Sequence, residues 1–475
     1  MVTGNLYLPK VTNFQLRGGA LVSGALLPAA FAPFELYWIA PVSLALLFYI
    51  WRQCRDQGSA ATAGFLFGIG QFGVGVSWIQ VSIQQFGGIN LPLSILLTLI
   101  FVAAMALFPA LLGAVAFLLR RWPLSLPLLW VLFEWVRATI FGGFPWLLLG
   151  HTAPGTFYQG IAPIAGTPGV SLFIVMIALL LMGLFQSPAR RLHNLTWILL
   201  LLLSGWGSSQ LQWTEPVGEP VSVALVQGNI EQSQKWLPKN REKTLQFYRD
   251  ATEESEARLV VWPETAVPAF HHQIEKEFLA PLGEKMERGG RTLLTGIPIQ
   301  TGQSGGYVNG IIQLGAERGE YHKRHLVPFG EYLPMRELLG PILDFIHIPL
   351  SDFSSGDNKQ PPLIVDRHPL STTICYEVAY PDLTFAHLPE AEILVTVSND
   401  GWFGDSLAPW QHLQIAQMRA LESGRPMIRA TNTGITAVIA PTGEITQKIP
   451  RAEFGVLEAT VQPMGGETPY LIWLG

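Results

Sequence analysis

The chain has 475 residues, a formal net charge of −5, 14% charged side chains and two cysteines. Two cysteines exclude a disulfide-rich scaffold, and no basic patch with interleaved aromatic residues indicates nucleic-acid binding. The charge is unevenly distributed, because the first 210 residues carry nine Lys or Arg and only three Asp or Glu. A charge-poor segment followed by an ordinary polar one predicts two domains.

The charge-poor segment contains seven apolar stretches that predict membrane spans, because a helix needs ~20 apolar residues to cross a bilayer. The core of a single large soluble domain rarely needs apolar runs of this length. The predicted spans are residues 18–34, 37–51, 60–82, 91–119, 123–140, 157–186 and 194–209.

Basic residues occur in every other loop between these spans. They are Lys10 and Arg17 before the first span, Arg52 and Arg55 after the second, Arg120 and Arg121 after the fourth, and Arg190 and Arg191 after the sixth. By the positive-inside rule this pattern predicts a cytoplasmic N-terminus. Seven spans then place the chain from about residue 210 onward on the outer side of the membrane.

The second half alternates strand-like and helix-like segments. This alternation predicts an α/β layered domain. The predicted strands are residues 221–230, 258–262, 291–299, 307–315, 371–376, 392–398 and 434–440, and the predicted helices are 241–257, 272–289 and 409–424.

Cys375 ends the predicted strand 371–376 and is followed by two polar residues, Tyr376 and Glu377. A thiol is the best side-chain nucleophile near neutral pH once a base or a positive field favours the thiolate. A buried apolar cysteine is the alternative interpretation of a lone cysteine, and Cys375 alone does not exclude it.

Two more segments supply a carboxylate and an ammonium. Glu264 follows the predicted strand 258–262 and could take the thiol proton, although a solvated glutamate at a strand end is the simpler interpretation. Lys323 lies in the run His322 to His325 and could stabilise an oxyanion, although such a run is also typical of a basic surface. The order Glu, Lys, Cys suits nucleophilic acyl transfer.

The segments VWPETAVP, YHKRHLVPFGEYLP and ICYE, in this order, resemble the nitrilase superfamily of carbon–nitrogen hydrolases. The resemblance implies an αββα sandwich with a Glu-Lys-Cys triad. On the matching positions, Glu264 is the general base, Lys323 the oxyanion stabiliser and Cys375 the nucleophile. Glu331 matches a second glutamate that orients the lysine or assists proton transfer.

The runs AFAPFELYWIA, FGVGVSWIQVSI, EWVRATIFGGFPWL, VSNDGWFGDS and RALESGRPMIRATNTGITAVI resemble bacterial apolipoprotein N-acyltransferases. The resemblance implies transfer of an acyl chain, usually from the sn-1 position of phosphatidylethanolamine, to Cys375 as a thioester. The α-amino group of a diacylglyceryl-cysteine at an apolipoprotein N-terminus then takes the chain, by ping-pong exchange. The implied partners are the phospholipid, the apolipoprotein and the bilayer of the bacterial inner membrane; no metal or soluble cofactor is implied.

The same resemblance assigns substrate-binding or supporting roles to five further residues. They are Trp236, Asn309, Tyr376, Glu377 and Trp402. The aromatic members of this set are candidates for the wall of an apolar acyl pocket, and ordinary packing is the alternative for each of them.

The predicted domains are a transmembrane domain at 1–212, a periplasmic nitrilase-like catalytic domain at 213–463, and the start of a further membrane span, cut short, at 464–475. Two other functions remain open from the residues. One is a membrane-tethered amidase or nitrilase acting on a small soluble substrate, and the other is a non-enzymatic lipoprotein-binding scaffold with a vestigial site.

Overall fold

The structure is a computed structural model that describes residues 12–85, 87–122, 124–186, 188–301, 306–332 and 353–474. Lys10, one of the charges behind the predicted topology, lies outside these residues. The chain divides into two compact units. The first comprises Met1–Ser77, Ile95–Arg137 and Ser171–Leu201, and the second comprises Trp78–Ser94, Ala138–Val170 and Leu202–Gly475.

Apolar helices build the first unit and extend at several points into segments of the second. Their bounds are Asn13–Leu26, Ile39–Gln53, Gln57–Gly75, Ile79–Gln85, Leu91–Leu118, Ser125–Thr139, Ala162–Gln186 and Arg191–Ser208. Small residues allow close helix contacts in the first unit. Ser23 and Ser43 each donate a hydroxyl hydrogen bond to the other's carbonyl at 2.7 Å. A Cβ on Gly24 would lie 1.9 Å from the Phe67 carbonyl oxygen, so only glycine fits there.

Among the described residues, three helical segments are long and apolar enough to cross a membrane, and a bent helix pair makes a possible fourth. The three are Leu91–Leu118, Ser125–Gly142 and Gln159–Gln186. The predicted span 60–82 is interrupted, because one helix ends at Gly75 and the next begins at Ile79. The count of seven spans therefore stays a prediction.

The second unit contains two six-stranded sheets. The strands are β1 Glu215–Pro216, β2 Val221–Gln227, β3 Leu259–Val261, β4 Thr292–Thr301, β5 Gly306–Gly315, β6 Gly319–His322, β7 Leu363–Val365, β8 His368–Ile374, β9 Ile393–Ser398, β10 Met427–Thr431, β11 Thr436–Ile439, β12 Ile445–Ile449, β13 Gly455–Val461 and β14 Met464–Gly465. One sheet has the strand order β13-β2-β3-β4-β5-β6 and the other the order β12-β11-β10-β9-β8-β7. A short pair, β1 with β14, lies outside both sheets.

Alternation along the strands produces two separate apolar layers. On β2, Val223 and Leu225 join a buried cluster that also takes residues from β8, β9 and β10 of the other sheet. Ala224 and Val226 point the opposite way, into a cluster shared with the helices on the outer face of the first sheet. This period of two is what a strand buried on both faces requires.

Helices cover both outer faces, which completes the αββα order of layers. Pro238–Glu254 and Ala280–Arg288 supply apolar residues to the cluster outside the first sheet. Ala408–Ser423 contacts β10 of the second sheet, and fourteen of its sixteen residues are buried. The predicted αββα architecture of this half is thereby confirmed.

The boundaries at residues 212 and 463 stay predictions. The first residues of the predicted third segment, Met464–Gly465, pair with β1 in antiparallel register. They are followed by a short helix, Pro469–Leu474.

Candidate active site

Cys375 lies at the first position after β8, where a 3-10 helix, Cys375–Ala379, begins. Its φ is +53°, a left-handed conformation that is strained for a residue with a Cβ. The side chain is 8% exposed. The chain therefore turns sharply at Cys375, and the residue is buried at this strand end rather than exposed.

Glu264 follows β3 in a turn that packs closely on β4. A Cβ on Gly296 of β4 would lie 2.6 Å from the Pro263 carbonyl oxygen and 2.7 Å from the Glu264 Cα. Glycine at this position therefore lets the turn approach the sheet. The Glu264 carboxylate accepts one hydrogen bond from Asn309 Nδ2 at 2.7 Å and another from the Asn399 backbone N–H at 2.9 Å.

Lys323 follows β6 and is only 1% exposed. Its Nζ lies 2.8 Å from Glu331 Oε1 and 3.6 Å from Glu264 Oε1. Asn309 Nδ2 also lies within 3.4 Å of Glu331 Oε1, so one ammonium and one amide are shared by two carboxylates. The structure thus brings together Glu264, Lys323, Glu331 and Asn309.

The electrostatics of the site favour a protonated thiol at rest. Burial raises the pKa of the Cys375 thiol, the Glu264 carboxylate raises it further, and the Lys323 ammonium opposes both. A nucleophilic attack by this sulfur therefore requires a base to remove its proton. Burial alone would lower the pKa of Lys323, but Glu331, Glu264 and Cys375 outweigh it and raise that pKa above its ordinary value. The lysine is then a permanent cation beside the thiol.

Glu377 joins the lysine segment to the cysteine turn. Its carboxylate accepts hydrogen bonds from the backbone N–H groups of Arg324 at 2.6 Å, His325 at 3.1 Å and Ile374 at 2.7 Å. Tyr321 donates a fourth, from its hydroxyl, at 2.9 Å. Burial raises the pKa of this carboxyl, while the backbone donors and Lys323 oppose the shift. Glu377 therefore links the segment that follows Lys323 to the segment that leads into Cys375, and its supporting role stays a prediction.

The predicted aromatic residues lie at different depths. Tyr376 is 9% exposed and donates its hydroxyl to the Gly143 carbonyl oxygen at 2.9 Å. Trp236 is 46% exposed with its ring 6.3 Å from that of Phe270, and Trp402 is 41% exposed in the 3-10 helix Asp400–Phe403. The two exposed indoles have the accessibility that a lipid-contacting wall requires, and their role stays a prediction.

A buried polar network behind the cysteine was not anticipated from the sequence. His412 Nε2 lies 3.1 Å from the Cys375 carbonyl oxygen, and its Nδ1 lies 2.9 Å from Asp400 Oδ1. Arg429 donates to Asp400 Oδ2 at 2.8 Å. A carbonyl oxygen only accepts, so His412 Nε2 carries the proton in that contact. The network fixes the backbone of the residue with the strained φ.

Lys235 is a second buried lysine that the sequence did not single out. It is 1% exposed, and its Nζ donates to the Glu264 carbonyl oxygen at 3.4 Å. The only feature of the sequence that could have identified Lys235 as a site residue is its position immediately before Trp236. Within the described ranges, no group of three or more His, Cys, Asp or Glu side chains is arranged to hold a metal ion.

Comparison with known proteins identifies the class of each half. Residues 222–470 match the model of the carbon-nitrogen hydrolase family, and residues 23–180 match that of the apolipoprotein N-acyltransferase N-terminal domain. Residues 222–470 therefore form a nitrilase-like domain. Among solved structures, a carbon-nitrogen hydrolase from Helicobacter pylori is similar, with a TM-score of 0.39 and 18% identity over 51% of this chain and 89% of that one.

Similar proteins extend over nearly the whole length. One from Methylococcus capsulatus is 45% identical, covering 96% of this chain and 92% of the relative. One from Nitrosomonas europaea is 44% identical, covering 98% and 94%. Both carry the name apolipoprotein N-acyltransferase, and the chain belongs to the apolipoprotein N-acyltransferase family.

Proposed function

We propose that this protein transfers a fatty acyl chain from a phospholipid to the α-amino group of the diacylglyceryl-cysteine of an apolipoprotein, with Glu264, Lys323 and Cys375 as its catalytic triad. The observation that carries the proposal is the buried arrangement of a base, an ammonium and a thiol on three separate segments. Family membership supplies the class of acyl acceptor.

In the first half-reaction Glu264 takes the Cys375 proton, and the sulfur attacks the carbonyl carbon of the ester at the sn-1 position of phosphatidylethanolamine. The Lys323 ammonium stabilises the negative oxygen of the tetrahedral intermediate. The ester C–O bond then breaks, and the proton on Glu264 passes to the oxygen of the departing lysolipid. The product is an acyl thioester on Cys375.

In the second half-reaction the amino group of the lipoprotein attacks the thioester carbon. Glu264 takes a proton from the attacking nitrogen, a C–N bond forms, and the C–S bond breaks. The proton returns to the sulfur, so the enzyme is regenerated without a soluble cofactor. Because one nucleophile serves two lipid substrates in turn, we expect ping-pong kinetics.

A membrane position suits both substrates. Extracting an acyl chain into water costs about 0.8 kcal/mol for each CH₂ group, so a site at the outer leaflet avoids this cost. We propose seven membrane spans in residues 1–212, a cytoplasmic N-terminus and a periplasmic catalytic domain at 213–463 in a bacterial inner membrane. Arg52 and Arg55 beside Cys54 support this topology.

Peptide mass spectrometry after incubation with phosphatidylethanolamine and no acceptor tests the thioester. We expect a fatty-acyl mass on the peptide that contains Cys375, removable by hydroxylamine and absent from Cys375→Ser. The matched control is Cys54→Ser, which removes the other cysteine and should retain the adduct.

Three results would reject parts of the proposal. An acyl adduct or full acyl transfer in Cys375→Ser excludes this cysteine as the nucleophile. A folded wild-type protein that forms no adduct, yet hydrolyses small amides in detergent without phospholipid, is instead a membrane-tethered amidase. For the topology, labelling of Cys54 by a membrane-impermeant thiol reagent in intact spheroplasts would contradict a cytoplasmic loop.

A further inference from the structure

Lys235 is buried in a segment whose neighbouring residues are exposed. It ends the short helix Gln232–Lys235, and Gln234 and Trp236 on either side of it are exposed to solvent. Lysine is almost never fully buried unless its charge is compensated. The local sequence is polar and does not force this burial, so the side chain is directed inward by what it contacts.

The contacts of this segment converge on Glu264. Lys235 Nζ donates to the Glu264 carbonyl oxygen at 3.4 Å. Gln232 accepts a hydrogen bond from Asn399 Nδ2 at 2.7 Å, and the Asn399 backbone N–H donates to the Glu264 carboxylate at 2.9 Å. In the part of the chain that the structure describes, Lys235 forms no ion pair within 4.0 Å. Its charge therefore acts on Glu264 through space.

The site has two carboxylates for one shared ammonium. Glu264 and Glu331 both lie beside Lys323 Nζ and both accept from Asn309 Nδ2. Two carboxylates that share a site repel each other, and a second positive charge nearby offsets part of that repulsion.

Within the part of the chain that the structure describes, the ionisable groups that interact with Glu264 include Lys323, Cys375 and Lys235, and Glu331 shares the Lys323 ammonium with it. Of these, the Lys235 charge is not already engaged by a carboxylate. Two further acids act on the site, but each has its own donors: Glu377 is held by backbone N–H groups, and Asp400 by the buried network behind Cys375.

We propose that Lys235 is a positioning and charge-compensating residue for Glu264: its ammonium holds the Glu264 backbone and places a second positive charge near the carboxylate that takes and returns protons in both half-reactions. This inference rests on the proposed function of Glu264 and Cys375. Burial lowers the pKa of Lys235 to about 8, with the Glu264 carboxylate opposing the shift. The side chain consequently remains charged below pH 7, the range in which its effect is measured.

The test compares Lys235→Gln with Lys235→Arg. Glutamine keeps a donor for the Glu264 carbonyl and removes the charge, whereas arginine keeps the charge. The measurement is the rate of Cys375 acylation by phosphatidylethanolamine as a function of pH, with thermal unfolding as a control for folding. We expect the acid limb of the Lys235→Gln profile to move up by about one pH unit, so that the rate on that limb falls about tenfold. The arginine variant should keep the wild-type limb.

Superimposable profiles for wild type and Lys235→Gln would overturn the proposal. Equal losses in the glutamine and arginine variants at every pH would do the same, because they indicate a packing role. If Lys235→Gln does not fold, Lys235→Met fills the same space without a charge and takes the same test. Failure of the proposed function is separate: it appears as no acylation in the wild type, or as acylation that persists in Cys375→Ser.

Discussion

Glu377 is fully buried and links the segments that contain Lys323 and Cys375, which makes its replacement a sensitive probe of the candidate site. Its carboxylate accepts from the backbone N–H groups of Arg324, His325 and Ile374 and from the Tyr321 hydroxyl. Two of these donors directly follow Lys323, and one lies at the end of the strand that precedes Cys375. We predict that Glu377→Gln and Glu377→Ala both reduce stability and acylation rate, by different amounts.

The size of each effect follows from the donors left behind. A glutamine amide replaces one oxygen by NH₂. If the NH₂ group took the position of Oε1, it would face two backbone N–H donors, from Arg324 and His325, so we expect it to take the position of Oε2. At the Oε2 position the NH₂ group faces the Ile374 N–H, which loses its acceptor. The Tyr321 hydroxyl can rotate and accept from the NH₂ group instead. One unsatisfied buried donor costs about 1–3 kcal/mol, so the alanine variant, which orphans three backbone donors, should lose about 3–9 kcal/mol.

The assay is thermal unfolding in detergent together with the rate of acyl-enzyme formation. For a domain of this size, 1 kcal/mol corresponds to a fall in Tm of about 2–4 °C. The matched control is Glu320→Gln, which removes the same charge from a side chain that is 53% exposed and pairs with His322. It should change neither quantity. If Glu377→Gln unfolds and acylates like the wild type, the four hydrogen bonds do not position the site.

Three further substitutions probe the surroundings of the site. Asp400→Asn should cost about 3–5 kcal/mol at pH 7 by leaving Arg429 without its anion. Burial would raise the pKa of Asp400, but Arg429 outweighs it and holds that pKa well below its ordinary range. The stabilisation by ionised Asp400 is therefore present above pH ~4 and lost as the pH falls through the folded-state pKa. The difference in Tm between wild type and Asp400→Asn should consequently become smaller in acid. A difference in Tm that does not change with pH would contradict the pairing. Gly296→Ala should cost about 1–3 kcal/mol and slow acylation, because its Cβ would overlap the Glu264 backbone; wild-type values in both assays would refute that close contact. His412→Phe removes the hydrogen bond to the Cys375 carbonyl oxygen and should slow alkylation of the Cys375 thiol by iodoacetamide about tenfold. His412→Gln keeps a donor and should recover part of the rate. Equal alkylation rates in wild type and His412→Phe would exclude a positioning role for His412.

The sequence predicts those parts of the fold that depend on local periodicity. The predicted strand 221–230 is found at Val221–Gln227, and the predicted helix 409–424 at Ala408–Ser423. A strand-end position predicted that Cys375 would expose its sulfur. The strand does end one residue before it, but the residue is buried at 8% exposure, so the predicted exposure is wrong. Strands with little apolar pattern, such as the edge strand β12, were not predicted, because β12 is held in the sheet by its pairing with β11 rather than by its own composition.

Buried charges are what the sequence could not predict. Lys235 and Arg429 look like ordinary surface cations in a one-dimensional pattern, since nothing local distinguishes a solvated charge from a compensated one. Their partners are remote: Glu264 is 29 residues from Lys235, and Asp400 is 29 residues from Arg429. The helix break between Gly75 and Ile79 was missed for a related reason, because hydropathy remains high across it. Only the folded chain supplies the information that decides these positions.

In the proposed mechanism, the general base Glu264 must distinguish the amine of the acceptor from water. A carboxylate that takes a proton from the lipoprotein amine could equally activate water, and hydrolysis of the thioester would waste the acyl chain. The Glu264 carboxylate is 6% exposed, and both its oxygens already accept protein hydrogen bonds. The space for a water molecule beside the base is thereby reduced, whereas an amine presented on a diacylglyceryl anchor is held in place by its lipid chains. In the proposed mechanism, selectivity against hydrolysis thus arises from burial of the base rather than from a difference in nucleophile strength.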